Sequence, residues 1–340
     1  MKLLKSILVT GGAGFIGSHF VRRITKNYPN TKIVNLDLLT YAADLQNLDD
    51  ISNFPNYEFI YGDINNFNFL QDLFRSHNFD SVVHLAAESH VDNSIKDPFS
   101  FAQTNIQGTL NLLEAVRRHW GNNVQEKRFY HISTDEVFGS LTDEGKFSEK
   151  TAYDPRSPYS ASKASSDHLA NAWFHTYNFP IIKTNCSNNF GPYQFPEKLI
   201  PLIIIKALNN EIIPIYGDGE NIRDWLYVED HVDALILLSK LGKIGETYCI
   251  GGNGERSNNE VAYEICRILD KKFAAKSAHK EQIRYVLDRP GHDQRYAINF
   301  SKMKTQYGWE PKYNFNVGLS KTVDWYLENI TWMEKKIKEN

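Results

Sequence analysis

The feature that most constrains the fold is a regular alternation of short apolar runs with longer segments of helical periodicity. The short runs are rich in β-branched residues and lie at 6–10, 32–36, 57–61, 81–86, 128–133 and 180–184. The segments between them include 15–26, 67–77, 99–119 and 160–177. Such alternation is typical of parallel strands joined by crossover helices. It predicts an α/β fold built on a doubly wound parallel sheet.

The alternation weakens after about residue 186, where proline and glycine become frequent and the segments shorten. We interpret this change as the chain leaving the sheet to build a smaller C-terminal lobe. Residues 1–190 are assigned to the first domain, and 191–223 with 253–332 to the second. Residues 224–252 are expected to return to the first domain, because 224–228 and 247–250 suit strands. The lysine-rich tail, 333–340, is predicted to fray.

The composition is that of an ordinary globular protein and argues against several functional classes. Of 340 residues, 41% are apolar and 23% are charged, which allows a large core. The net charge of −3 argues against a nucleic-acid partner, which usually needs a concentrated basic face. The three cysteines, Cys186, Cys249 and Cys266, are odd in number and lack metal-ligand spacing. We therefore expect free thiols in a reducing compartment, with no disulfide framework and no metal site.

No apolar run approaches the roughly 18 residues that a membrane span needs, so no membrane partner is expected. The first residues contain lysines and a short apolar run, which is a weak resemblance to a signal peptide. The run leads directly into glycines without a cleavage region, so a buried first strand is the better interpretation. These features predict a cytoplasmic protein.

A glycine-rich loop follows the first predicted strand and opens the first predicted helix. Gly11, Gly14 and Gly17 permit a tight turn, and the backbone of Phe15 and Ile16 begins the helix. Backbone N–H groups at a helix N-terminus favour a pyrophosphate, as in Rossmann-type dinucleotide sites. Asp37 lies twenty residues beyond Gly17, where a carboxylate accepts hydrogen bonds from a ribose and repels a 2′-phosphate. The loop therefore predicts NAD as the cofactor, in preference to NADP.

Other candidate cofactor contacts lie where predicted strands end, since ligands bind at the carboxyl ends of such sheets. They are Asp63, Ile64, Leu85, Ala86 and Ala87. The alternative for each is simple packing, and Asp63 is also suited to cap the next helix.

Two short motifs carry candidate catalytic groups. Tyr159 and Lys163 are four residues apart on a predicted helix, so their side chains share a face. A nearby ammonium favours the phenolate, which then accepts a proton from a substrate hydroxyl. Thr134, Asp135 and Glu136 end a predicted strand, and paired carboxylates suit separate acid and base roles. The alternatives are an amphipathic helix with a solvated lysine and an acidic surface turn.

The chain resembles the extended short-chain dehydrogenase/reductase superfamily, because the glycine loop occurs together with Tyr159 and Lys163. Within it, nearly the whole length is similar to the dTDP-glucose 4,6-dehydratases. The matching stretches are Leu85-Ala-Ala-Glu-Ser-His-Val-Asp92, His131-Ile-Ser-Thr-Asp-Glu-Val137, Ser157-Pro-Tyr-Ser-Ala-Ser-Lys-Ala-Ser-Ser-Asp-His168, Thr184-Asn-Cys-Ser-Asn-Asn189, Phe195-Pro-Glu-Lys-Leu-Ile-Pro201, Ile222-Arg-Asp-Trp-Leu-Tyr-Val-Glu-Asp230 and Asp288-Arg-Pro-Gly-His292.

The resemblance implies a three-stage reaction on a sugar nucleotide, dTDP-glucose. Tyr159 would deprotonate the 4-hydroxyl while NAD removes hydride from C4, with Thr134 bound to the 4-oxygen and Lys163 to the nicotinamide ribose. Glu136 would then remove the C5 proton, and Asp135 would protonate the departing C6 hydroxyl. Return of hydride to C6 would give the 4-keto-6-deoxy sugar. The product would serve deoxysugar synthesis, of which rhamnose is one example.

The resemblance also implies further contacts. Leu38, Thr40 and Thr104 join the cofactor set. The predicted substrate set is Ser89, Thr134, Asn188, Lys198, Leu199, Pro214, Ile215, Tyr216, Arg223, Asn258, Asp288, Arg289 and His292. For any one of the members after residue 187, the alternative is a turn or a solvated surface position.

Several positions depart from the usual family pattern. Leu38 replaces a frequent lysine, Ala43 with Asp44 replaces Gly-Asn, and Phe138 and Phe190 replace tyrosines. The two phenylalanines put the rate and the fine specificity in doubt, whereas Asp37 still supports NAD.

The rival functions are a UDP-sugar 4,6-dehydratase, a UDP-glucose 4-epimerase and, from another class, a non-catalytic NAD-binding module. An epimerase needs no C5 base and no C6 acid, so Asp135 and Glu136 argue against it. Thymine and uracil are not distinguished by spacing. Family members usually pair through helices that correspond to 99–119 and 160–177, so a homodimer is expected. Apolar residues on these helices, such as Leu112, are equally explained by core packing.

Overall fold

The structure is a computed structural model that describes residues 5–273 and 278–338. The chain divides into two compact units. The first unit contains residues 1–139, 151–186 and 232–249, and the second contains 140–150, 187–231 and 250–340. Both units are therefore discontinuous in sequence.

The strands of the described chain are β1 (Ser6–Thr10), β2 (Lys32–Asp37), β3 (Tyr57–Tyr61), β4 (Ser81–His84), β5 (Arg128–Thr134), β6 (Ile181–Cys186), β7 (Asn188–Phe190), β8 (Ile213–Tyr216), β9 (Ile222–Tyr227), β10 (Thr247–Ile250), β11 (Glu255–Ser257) and β12 (Ile283–Val286). The α-helices are α1 (Phe15–Asn27), α2 (Phe67–Ser76), α3 (Val91–Lys96), α4 (Pro98–Phe101), α5 (Thr109–Trp120), α6 (Pro158–Tyr177), α7 (Leu199–Leu208), α8 (Val228–Leu241), α9 (Asn258–Lys272), α10 (Ser301–Tyr307), α11 (Phe315–Glu328) and α12 (Ile330–Lys338). A π-helix spans Ala102–Gly108, and 3₁₀ turns span Leu45–Ile51, Asp135–Phe138 and His279–Gln282.

The first unit is organised by a seven-stranded sheet in the order β10-β6-β5-β4-β1-β2-β3. The neighbouring pairs from β6 to β3 are parallel. The strand order reverses between β1 and β4, which is the point where ligands bind in doubly wound sheets. The predicted fold class is therefore confirmed.

Helices pack on this sheet through apolar faces. Leu112, Leu113 and Val116 on α5 are fully buried, in one cluster with strand residues such as Phe129 and Ile181. A central parallel strand has both faces covered, which explains the continuous apolar runs in the sequence. The alternative that core packing explains the apolar face of α5 thus holds for these three residues.

The second unit contains a three-stranded sheet, β11-β9-β7, and a two-stranded sheet, β12-β8. Its core joins the isoleucines of α7 to the buried faces of α9 and α11. Phe190 and Trp225 bring β7 and β9 into the same core. This unit orders the segments that follow β6 in sequence.

Two local expectations differ from the structure. Segment 224–228 belongs to β9 and the start of α8, and β9 pairs with β7 and β11. By contrast, Thr247–Ile250 returns to the edge of the seven-stranded sheet. The tail from 333 is helical as far as Lys338, because Met333 is buried in the core of the second unit. Residues 339–340 lie outside the described part.

The helix predicted at 99–119 is interrupted. It is divided into α4, the π-helix and α5. Within residues 5–273 and 278–338, no helix is long and apolar enough to cross a membrane.

Candidate active site

The carboxyl end of β5 presents the first candidate catalytic group. Thr134 is the last strand residue, and its hydroxyl accepts the backbone N–H of Glu136 at 3.3 Å. This contact caps the short turn Asp135–Phe138. The Thr134 hydroxyl also lies 3.3 Å from Oδ1 of Asp135, which is buried. The sharp change from strand to turn holds Thr134, Asp135 and Glu136 close together.

Helix α6 presents the second group. Ser157 and Ser160 form a reciprocal capping box, and Pro158 occupies the first helical turn, so the start of the helix is well defined. Tyr159 and Lys163 are one turn apart and are only 8% and 6% exposed. Nζ of Lys163 donates to the carbonyl of Ile132 on β5 at 2.9 Å. The helix is thereby attached directly to the strand that carries Thr134.

The electrostatics bring the two groups into one site. Burial raises the pKa of Tyr159 well above its usual value, and the charge of Glu136 acts in the same direction. A hydrogen bond with Thr134 opposes this shift, and Asp135 adds a smaller rise. These couplings place the predicted catalytic residues around one phenol.

The effect of the Lys163 ammonium on the phenol stays a prediction. Burial lowers the pKa of Lys163 itself, and its ammonium binds the Ile132 carbonyl. The pKa of Tyr159 is raised by burial and by the charges of Glu136, Cys186 and Asp135, and it is lowered by the Thr134 hydrogen bond.

The glycine loop brings three backbone segments into close contact. Gly11 has a φ of +74°, and a Cβ there would lie 2.5 Å from the backbone N of Ala86. A Cβ on Gly17 would lie 2.1 Å from the Gly11 carbonyl oxygen. Both positions therefore require glycine for the loop to close against β4 and α1.

Gly14 has a different role, since a Cβ there would meet only the Gly11 carbonyl, at 3.4 Å. It is the N-cap of α1 and supplies no side-chain cap. The first N–H groups of an α-helix have no intrahelical acceptor, and here they belong to Phe15, Ile16 and Gly17. This arrangement fits an anionic ligand that accepts from the backbone.

Asp37 lies at the end of β2, beside this loop. Its carboxylate accepts the N–H of Ala13 and the N–H of Leu39, each at 2.9 Å. Burial raises its pKa, and these backbone hydrogen bonds oppose the rise. Each carboxylate oxygen has a second lone pair, so the group retains capacity for ribose hydroxyls. Leu38 is half-buried next to it, and Thr40 is exposed.

The remaining cofactor candidates lie around the carboxyl ends of β3 and β4. Asp63 accepts the N–H of Asn65 at 2.8 Å, and the cap of α2 is Asn66, so the capping alternative for Asp63 is not met. Ile64 is buried, and Leu85, Ala86 and Ala87 are half-buried. Thr104 lies in the π-helix, a structure that is frequent at functional sites.

Ser89 is exposed in the first unit, and the other substrate candidates that follow residue 187 lie in the second. Asn188 begins β7 and has a buried Oδ1 with no hydrogen-bond partner in the described residues. Lys198 and Leu199 begin α7, and Asn258 begins α9. On β8 the side chain of Ile215 faces the core, whereas Tyr216 is exposed. Pro214 is half-buried.

A cationic cluster marks the second unit. Arg223 is 5% exposed and donates to the carbonyl oxygens of Ile222 and Asp293 at 2.8 and 2.9 Å. Burial lowers the pKa of His292, and the charges of Arg289 and Arg223 lower it further. Asp288 opposes them through a 2.6 Å contact with Nδ1 of His292. The guanidinium groups of Arg223 and Arg289 suit a diphosphate, because each can donate two hydrogen bonds to phosphate oxygens.

Known proteins share this architecture. A sequence model of the family described as GDP-mannose 4,6 dehydratase matches residues 8–322. The dTDP-glucose 4,6-dehydratase of Shigella flexneri is 53% identical over 341 aligned residues, which cover 96% of this chain and 94% of that protein. The chain belongs to the dTDP-glucose 4,6-dehydratase family. The family predicted from the sequence motifs is thus confirmed.

Two solved structures of the same family are similar. The dTDP-glucose 4,6-dehydratase of Bacillus anthracis, solved in complex with NAD, has a TM-score of 0.87 and 46% identity and covers 97% of this chain and 99% of its own. DesIV of Streptomyces venezuelae, solved with NAD and TYD bound, has a TM-score of 0.90, 41% identity and the same two coverages.

Two departures from the dTDP-glucose 4,6-dehydratase pattern have structural explanations. Phe138 packs edge-on against Tyr153, with ring centroids 5.3 Å apart. Phe190 is fully buried among Trp225, Tyr227 and other rings of the second unit. A hydroxyl at either position would need a buried partner. Ala43 donates its N–H to the Thr40 carbonyl.

Sequence reasoning assigned no role to several buried polar residues near the site. Asn105 pairs with both backbone groups of Glu88 and donates to Ser162, each at 2.9 Å. Asp167 is a residue of α6, and its side chain is fully buried. Its spacing of four residues from Lys163 was a usable signal, because it places Asp167 on the face of α6 that carries Tyr159.

Proposed function

We propose that this chain is an NAD-dependent hydro-lyase that converts dTDP-glucose to dTDP-4-keto-6-deoxyglucose and water. The observation that carries the proposal is the grouping of Thr134, Asp135 and Glu136 around the buried phenol of Tyr159. Oxidation at C4 alone needs the phenol, whereas loss of water across C5 and C6 needs a separate base and acid. An epimerase would have no use for the carboxylate pair.

The cofactor requirement fits residues of the first unit. Bound NAD supplies the redox chemistry, taking two electrons from C4 and returning them to C6. The open N-terminus of α1 behind Gly14 suits its pyrophosphate, and Asp37 suits its adenosine ribose. Lys163 suits the nicotinamide ribose, because its ammonium has two N–H donors besides the one that binds the Ile132 carbonyl.

The chain itself moves the protons. Tyr159 accepts the proton of the 4-hydroxyl after the phenol has released its own proton to solvent, and the Thr134 hydrogen bond favours that release because it lowers the phenol pKa. Thr134 then holds the 4-oxygen. Glu136 removes the C5 proton, which the neighbouring ketone has made acidic, and Asp135 donates a proton to the departing hydroxyl. Glu136 returns its proton to C5, and Asp135 regains a proton from solvent in place of the one it gave to the departing hydroxyl. The side chains are then restored, and only water is lost from the sugar.

Substrate recognition is proposed for residues of the second unit. Arg223 and Arg289 suit the diphosphate through charge, and the ring of His292 lies beside them. Asn188 offers a buried amide oxygen without a partner in the described residues. Nucleotide-bound DesIV supports this assignment at the level of substrate class.

The decisive experiment compares sugar nucleotides. Purified protein is incubated separately with dTDP-glucose and UDP-glucose, and the 4-ketone is followed by absorbance in alkali and by mass. We expect loss of water from dTDP-glucose, with Tyr159→Phe inactive. Inversion at C4 without loss of water, or turnover of UDP-glucose alone, would contradict the proposed activity.

We further propose a homodimer in the cytoplasm, with a product that enters deoxysugar synthesis. Phe99 begins the expected pairing region and is 83% exposed. Light scattering should give twice the chain mass of 39.2 kDa. Phe99→Glu should shift the mass towards the monomer, whereas Leu287→Glu, at a site 92% exposed in the second unit, should not. A monomeric wild-type protein would exclude the dimer.

A further inference from the structure

A buried polar cluster lies beneath the catalytic residues and is not used by the proposed chemistry. Its centre is Asp167, which lies one turn after Lys163 on α6 and has no exposed surface. Oδ1 of Asp167 accepts from Nε2 of His131 at 2.9 Å, and Oδ2 accepts the hydroxyl of Tyr153 at 2.6 Å. Nζ of Lys183 donates to the same hydroxyl at 3.0 Å. The cluster therefore joins α6 to β5 and β6.

The cluster is charged, and its charge is compensated. Burial alone would raise the pKa of Asp167, but the His131 hydrogen bond and the charge of Lys183 outweigh it and lower the pKa. Burial also lowers the pKa of His131, so the ring is neutral and carries its proton on Nε2. Asp167 is thus a buried anion with defined donors. Breaking such an arrangement is costly, so it fixes geometry strongly.

Asn185 on β6 connects this anion to the catalytic strand end. Its Nδ2 donates to Oδ2 of Asp167 at 3.2 Å and to the backbone carbonyl of Thr134 at 3.0 Å. Exchanging the two ends of the amide would place its oxygen against two acceptors, so the network fixes its orientation. Its Oδ1 is buried without a partner in the described residues. The Asn185 amide therefore makes both hydrogen bonds through its Nδ2, while its Oδ1 accepts none from the described residues.

We propose that Asn185, held by Asp167, is a positioning residue that fixes the Thr134–Glu136 segment relative to Tyr159. The inference rests on the proposed function. The Thr134 carbonyl is the peptide group immediately before Asp135, so a shift of this carbonyl moves both carboxylates. Tyr159 and Lys163 have a further attachment that does not involve Asn185, because Lys163 binds the Ile132 carbonyl on β5.

Loss of the amide should therefore affect the steps of the reaction unequally. Elimination depends on Asp135 and Glu136, whereas oxidation depends mainly on Tyr159. Misplacement by about 1 Å costs on the order of 100-fold in rate. We expect elimination to slow more than oxidation, so that the oxidised sugar accumulates on the enzyme together with reduced nicotinamide.

The test uses Asn185→Ala and Asn185→Ser, with Asn171→Ala as the matched control. Asn171 lies one turn after Asp167 and contacts the same cluster through Lys183 at 3.3 Å. We expect the Asn185 variants to lower kcat by about 10- to 100-fold with KM for dTDP-glucose within about threefold. Reduced nicotinamide, measured by absorbance at steady state, should rise above the wild-type level. The control should match the wild type in both readouts.

The outcomes are separable. No conversion of dTDP-glucose by the wild-type protein contradicts the proposed function. Wild-type kcat in Asn185→Ser overturns the positioning role, and so does a fall in kcat that follows the folded fraction without accumulation of reduced nicotinamide. If neither Asn185 variant folds, Tyr153→Phe decides, because it removes the hydroxyl that binds Asp167 and leaves the ring. It should raise reduced nicotinamide to a smaller extent, and an unchanged level would overturn the inference.

Discussion

At the scale of residues, the two adjacent carboxylates have unequal surroundings. Asp135 is 1% exposed, whereas Glu136 is half-buried. The charge of Glu136 raises the pKa of Tyr159 more than the charge of Asp135 does. Different surroundings are what separate acid and base roles require. The arrangement supports Glu136 as the base, because a half-buried carboxylate is accessible to a substrate carbon.

Replacement of Glu136 by glutamine should separate oxidation from elimination. The amide keeps the size of the side chain but removes the base, so C5 keeps its proton. We expect kcat for product to fall by about 10²- to 10⁴-fold. Oxidation at C4 should continue, and reduced nicotinamide should accumulate on the enzyme, where absorbance detects it.

The control for this variant is Glu144→Gln, at an exposed carboxylate of the second unit. It should retain wild-type turnover. Full turnover by Glu136→Gln would show that the base has been assigned to the wrong residue.

Asp167 should make the free energy of unfolding depend on pH in the acidic range. Its pKa is lowered in the folded protein from the ordinary value of 3.8. A lowered pKa contributes stability above the unfolded value, and this contribution is lost as the pH falls through the folded pKa. Asp167→Asn should lower the free energy of unfolding at neutral pH by about 3 kcal/mol. The free energy of unfolding of this variant should also fall less steeply than that of the wild type as the pH drops below about 3.8.

Urea unfolding of both proteins between neutral pH and about pH 3 measures this slope. Asp49→Asn, at an exposed aspartate, is the control and should keep the wild-type profile. Parallel curves for Asp167→Asn and the wild type would mean that this carboxylate does not carry the acid dependence.

At the scale of elements, the glycines of the loop between β1 and α1 have different roles. Gly11 and Gly17 are needed for close packing, whereas Gly14 has space around it and is proposed to face the ligand. Gly14→Ala should change the free energy of unfolding by no more than about 1 kcal/mol, because its φ of −76° suits alanine but alanine is a poorer N-cap than glycine. The new methyl group should nevertheless weaken NAD binding by about tenfold or more, because it lies at the N-terminus that is proposed to receive the pyrophosphate. Calorimetric titration with NAD measures the affinity.

Gly17→Ala is the contrasting variant, because its Cβ would meet the Gly11 carbonyl at 2.1 Å. It should lower the melting temperature strongly. Equal NAD affinity in Gly14→Ala and the wild type would mean that the loop binds no pyrophosphate at this position.

The elements also show which parts of the fold and site the sequence can predict. The glycine loop, Asp37 and the Tyr159 helix have local spacings that follow directly from their chemistry. The π-helix and the assignment of β9 to a separate sheet depend on tertiary contacts, which local spacing does not encode. Asn185 was missed for the same reason, since it reaches Thr134, 51 positions away in sequence.

At the scale of the whole molecule, the residues proposed to bind the cofactor and those proposed to bind the nucleotide lie in different units. The first contains the carboxylates and the glycine loop, and the second contains the cationic cluster around Arg223. This division predicts that cofactor binding and nucleotide binding respond to different substitutions.

Arg223→Lys should weaken nucleotide binding specifically. Lysine keeps the positive charge but loses the planar guanidinium that pairs with two phosphate oxygens. We expect KM for dTDP-glucose and the Kd of dTDP to rise by about 10- to 100-fold, since a charged hydrogen bond contributes about 1.5–3 kcal/mol. The affinity for NAD should stay at the wild-type value, because the residues proposed to bind it lie in the first unit. Arg284→Lys, at an exposed arginine of the second unit, should leave all three constants unchanged. An unchanged Kd for dTDP in Arg223→Lys would exclude this arginine from the diphosphate site.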